Sequence, residues 1–136
     1  MRLLTLGLGL LLASLAVGSA WVHEGEVVTL TTWDAGDHAR RSRLWIVEVD
    51  GAPYLRADLP GARWLSRLRK RPQVEVQRDG ARARYQAVPV DDPAVREAVA
   101  QAMAAKYGLL DDLLGVVRDE DDAQAVRLDP IPDGAK

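Results

Sequence analysis

A chain of 136 residues with a formal net charge of −2 has room for one domain with a real core, not for two ordinary ones. Its slight acidic excess excludes a general nucleic-acid binder, which needs surplus cations to release phosphate counterions. Zero cysteine excludes a disulfide scaffold, a thiolate metal centre and a cysteine nucleophile, and 48% hydrophobic residues exclude a disordered tail.

Leu3–Val22 carries no charged residue. Arg2 precedes it, Leu3–Leu15 is leucine-rich, and Ala16–Ala20 is made mostly of small residues. That order fits a secretory signal peptide. The length also suits a hydrophobic helix spanning a bilayer. Both readings place the rest of the chain on the outer (periplasmic) side, with Arg2 inside and Glu24 and Glu26 beyond the membrane. Segment 1–22 is therefore expected to be a cleaved signal or a retained membrane anchor, and 23–136 one domain. Trp21 sits where an aromatic membrane anchor belongs.

Glu26–Trp33 is rich in β-branched residues and predicts a strand. Asp34–Ser42, with Gly36 and Arg40-Arg41, predicts a loop. Arg43–Val49 alternates and predicts a second strand. Asp50-Gly51 is a type I′ hairpin signal, and Ala52–Arg56 is the returning strand. Ala62–Lys70 predicts a short helix with Trp64, Leu65 and Leu68 on one face and arginines elsewhere. Pro72 ends it. Gln73–Arg78 and Ala81–Val90 form a hairpin across Asp79-Gly80.

Asp91 or Asp92 caps the next helix, and Pro93 occupies its first turn. Val95, Ala98, Val99, Ala102 and Met103 follow helical spacing, so Pro93–Tyr107 is an amphipathic helix ended by Gly108. Leu109–Val117 predicts a further helix, Asp119–Asp122 an acidic loop, and Ala123–Asp129 a closing strand. The expected class is mainly β (α+β): a six-stranded, mostly antiparallel barrel with helices at its rim.

Four segments now carry a resemblance. They are Thr29–Thr32; Leu44–Val49 with Asp50-Gly51 and Tyr54; Trp64, Leu68, Pro72, Val74 and Val76; and Val126–Pro130. Together they resemble the split β-barrel family of flavin and deazaflavin oxidoreductases, and within it the nitroreductase/quinone reductase branch that is deazaflavin-dependent. The resemblance runs from Val27 to Pro130, about three quarters of the chain. It implies a split barrel, often homodimeric, that binds a deazaflavin coenzyme or FMN and passes hydride or electrons to a quinone or nitro-type small molecule. It also implies that Arg56, Arg63 and Arg67 hold the cofactor's phosphate tail. Guanidinium forks suit phosphate oxygens. Arg40 and Arg41 remain from the family's basic loop after the first strand. Where the family carries serine-x-glycine-glycine, this chain has Ala57-Asp58-Leu59-Pro60-Gly61.

Trp64 either walls the cofactor ring or packs in the core. Lys106 and Tyr107 either orient a substrate and donate a proton, or end a helix with favourable charge. The run Arg63–Arg71 either binds an anion or is a solvated face. Asp34, Asp37 and His38 read as a polar loop more readily than as a metal site, so no metal is expected. The second functional reading is a non-catalytic small-molecule or anion binding module on the same fold. The third is a structural envelope protein.

Overall fold

The computed structural model describes residues 26–59, 61–108 and 123–132. The expected N-terminal hydrophobic helix, the helix Leu109–Val117 and the acidic loop Asp119–Asp122 lie outside these residues. In chain order the elements are β1 (Val28–Trp33), β2 (Ala39–Leu44), β3 (Val47–Val49), β4 (Ala52–Ala57), α1 (Arg63–Lys70), β5 (Gln73–Arg78), β6 (Ala81–Val90), α2 (Pro93–Tyr107) and β7 (Gln124–Pro130).

The strands make one sheet in the order β2-β1-β5-β6-β7-β4-β3, antiparallel throughout. The expected antiparallel, mainly β architecture is present. Two details are corrected. There are seven strands among the described residues, not six, and the sheet is open, with β2 and β3 at its edges.

The extra strand has a local cause. Arg43–Val49, expected as one strand, stops at Leu44 and resumes at Val47. At the break the Ile46 N–H donates to the Tyr107 hydroxyl, 3.0 Å away, and not to a neighbouring strand. The loop expected over Asp34–Ser42 is also shorter than its composition suggests. Asp37 adopts a left-handed φ of 61°, the turn closes within a few residues, and Ala39 already pairs with Trp33. Arg40 and Arg41 therefore belong to a strand.

Both Asp-Gly hairpins form as read. Asp50 and Asp79 have φ of 51°, and Gly51 and Gly80 have φ of 79° and 78°, which is the type I′ requirement. Asp92 caps α2 by accepting from Ala94 N–H at 2.9 Å.

Two cores result. One side of the sheet buries Val28, Leu30, Val74, Val76, Leu55 and Leu128 against Trp64, Leu65 and Leu68 of α1. The second core packs Val99, Met103 and Tyr107 of α2 on Val47, Tyr54 and Ala125. Each large side chain so buried contributes roughly 1.5–3 kcal/mol. Among the described residues no helix is long and apolar enough to cross a membrane.

Candidate functional site

The site is built where the β1–β2 turn meets the exposed face of α1. Asp34 organises the turn. Its Oδ1 accepts from Gly36 N–H at 2.9 Å and His38 N–H at 3.0 Å, and its Oδ2 accepts from Arg40 Nε at 3.1 Å. The His38 N–H, the Arg40 guanidinium and the Gly36 N–H hold its carboxyl down at about 2. Arg71 ties the turn to the end of α1 by donating to Asp37 and to the Asp34 carbonyl.

Helical spacing turns Trp64, Leu65 and Leu68 inward, which leaves Arg63, Ser66 and Arg67 on the outward side of α1. Arg67 Nε donates to Thr32 Oγ1 at 2.7 Å, and Thr32 is fully buried. That bond fixes one guanidinium against β1. Thr32 is the cross-strand partner of Arg40, so Arg40 lies on the same face of the sheet. The result is a depression of about 400 Å³ lined by Asp34, Arg40, Arg63, Ser66 and Arg67. Three guanidinium groups and a hydroxyl face one carboxylate, which Arg40 already engages. Such a donor set fits an anion with several acceptor oxygens.

The structure thus brings together Arg40, Arg63 and Arg67 from the sequence reading, and it separates the others. Arg41 alternates with Arg40 along β2 and points to the opposite face. Trp64 packs in the core with 7% exposure. Arg56 is nearly buried, with Nε 2.7 Å from Asp58 Oδ1, in a separate hollow with Arg43, Trp45 and Met103.

Lys106 and Tyr107 belong to a third place. Lys106 donates to Glu26 and to the Ile46 carbonyl. Arg78 reaches both Glu26 oxygens at 3.1 Å and Glu48 Oε1 at 2.6 Å. The Arg78 hydrogen bonds, and then those of Lys106, lower the Glu26 carboxyl against the opposing effect of burial. Burial pushes the Tyr107 phenol up. Tyr107 also stacks on Trp45, with ring centroids 4.2 Å apart and planes 5° from parallel.

Three contributors escaped the sequence reading. Ser66 carried a signal in its spacing, three residues after Arg63. Thr32 and Glu26 carried none, because their partners lie 35 and 80 residues away. Among the described residues no group of three or more His, Asp or Glu gathers where it could hold a metal.

Comparison with known proteins gives a likeness of fold. No family model matches the chain, and no curated protein matches it. Solved structures do. A conserved hypothetical protein from Mycobacterium tuberculosis superposes with a TM-score of 0.66 at 17% identity, covering 86% of this chain and 80% of that one. A putative pyridoxamine 5′-phosphate oxidase from Listeria innocua gives 0.62 at 13% identity, covering 89% and 94%. An F420-H2-dependent reductase gives 0.60 at 17% identity, covering 77% and 95%. The chain shares the overall fold of these proteins.

Proposed function

We propose that this chain is a flavin- or deazaflavin-type reductase-like domain, exported or membrane-anchored, that transfers hydride or electrons to a quinone or nitro-type small molecule. The observation that supports this reading is the convergence of Arg40, Arg63, Ser66 and Arg67 in one depression of a split-barrel fold. The redox chemistry is that of the ring, and the protein supplies binding, orientation and electrostatics. Arg67, braced on Thr32, and Arg40, braced on Asp34, offer directed donors with little freedom left to lose. Arg63 is tied to no acid among the described residues and is available to close on a phosphate.

The test is direct. The full chain is purified, its visible spectrum recorded, and its tryptophan fluorescence followed while FMN and a deazaflavin coenzyme are added. Saturable quenching by one of them is expected. A colourless protein quenched by neither overturns the reductase reading and leaves the binding module.

A further inference from the structure

The face of the sheet opposite the α1 core carries a second cleft, of about 640 Å³. Its floor comes from the outward positions of three adjacent strands: Trp33 of β1, Gln73 and Glu75 of β5, and Arg84 and Gln86 of β6. The register sets this up. Glu75 lies between Thr31 and Arg84, and Gln73 lies opposite Gln86, so alternate residues of each strand fall on a single rigid surface. Lys70 and Arg71 form the rim, where α1 runs into β5.

We infer that this cleft binds a planar aromatic anion. Trp33 is half-buried and, among the described residues, is the only aromatic side chain of the lining, so it offers one π surface with little side-chain entropy to lose. Arg71 is already turned to Asp37. Lys70 and Arg84 make no ion pair among the described residues, and they supply open positive charge against the one carboxylate, Glu75. Gln73 and Gln86 add amide donors and acceptors at the sheet surface. A single tryptophan flanked by two free cations matches one ring bearing one acidic group. A polynucleotide strand would call for successive stacking residues. The cleft is distinct from the depression around Arg63 and Arg67, and the inference does not depend on a cofactor there.

Calorimetric titration of the full chain tests it, with naphthalene-2-sulfonate as the probe. Cyclohexanesulfonate keeps the charge without the ring, and 2-naphthol keeps the ring without the charge. Naphthalene-2-sulfonate is expected to bind at least about tenfold more tightly than either. Trp33→Leu and the pair Lys70→Gln/Arg84→Gln should each weaken it by about tenfold with circular dichroism unchanged. Arg63→Ala/Arg67→Ala should leave it unchanged. If Trp33→Leu fails to fold, the Lys70/Arg84 pair, on exposed side chains, decides. No binding of the probe, equal binding of cyclohexanesulfonate, or undiminished binding by the Lys70/Arg84 variant overturns the inference. Loss of binding in the Arg63/Arg67 variant overturns it too, because the probe would then occupy the other depression.

Discussion

The Tyr107 hydroxyl lies 3.0 Å from Ile46 N and 2.9 Å from Ile46 O, so one side chain serves both backbone groups of a residue 61 positions away. It also lies 2.8 Å from the Glu26 carbonyl. The phenol accepts from the Ile46 N–H and has one proton to share between the two carbonyls. This latch holds the chain between β2 and β3 against the end of α2.

Tyr107→Phe keeps the ring on Trp45 and removes the latch. The Ile46 N–H is then buried without an acceptor, which costs about 1–3 kcal/mol. Urea unfolding should show the midpoint falling with little change in slope. An unchanged midpoint would mean that the N–H finds another partner.

Arg63 and Arg67 should separate binding from stability. Arg63→Ala should weaken the binding of FMN or a deazaflavin coenzyme about tenfold and leave the unfolding midpoint in place. Arg67→Ala should weaken binding similarly and also cost about 1 kcal/mol of stability, because it strips the buried Thr32 hydroxyl of its 2.7 Å donor. Parallel titrations and urea curves on the two variants check this.

Stability should fall in acid. Arg78, and then Lys106, hold the Glu26 carboxyl below its ordinary value of 4.5. A carboxyl depressed in the folded state contributes its full stabilisation above its unfolded value and loses it as the pH falls through the folded one. Asp34 acts with the same sign between 3.8 and about 2. Urea midpoints should therefore decline as the pH drops below about 4.5, and Glu26→Gln should flatten the upper part of that decline. An equally steep decline in the variant would remove Glu26 as its source.

Asp92→Ala removes the side-chain acceptor of Ala94 N–H at the start of α2 and should cost about 1 kcal/mol. Asp92→Asn should recover most of it. Equal losses in the two variants would show that charge, not the hydrogen bond, matters there.

Much of the fold is legible in the sequence because its signals are local. The Asp-Gly pairs specify left-handed turn residues and so set two hairpins. The spacing of Val99, Met103 and Tyr107 sets the buried stripe of α2. Arg63 and Arg67 are readable as a pair because four residues make one helical turn. Arg40 and Arg41 are not separable by composition. Only their register on β1 shows that one faces the depression and the other does not.

What the sequence alone determined, outside Asp34–Val49, is the set of short-range choices: which of the described segments are extended, which are helical, and where the chain reverses. Backbone sterics and hydrophobic period act over a few residues, and they leave their mark in neighbouring letters. Only the tertiary structure decided that Arg43–Val49 breaks in two, that the sheet stays open, and that Arg67 rests on Thr32 while Arg40 rests on Asp34. Those outcomes depend on hydrogen bonds between residues brought together by folding. The break at Ile46 is made by a phenol 61 residues downstream, and no local pattern around Ile46 encodes it.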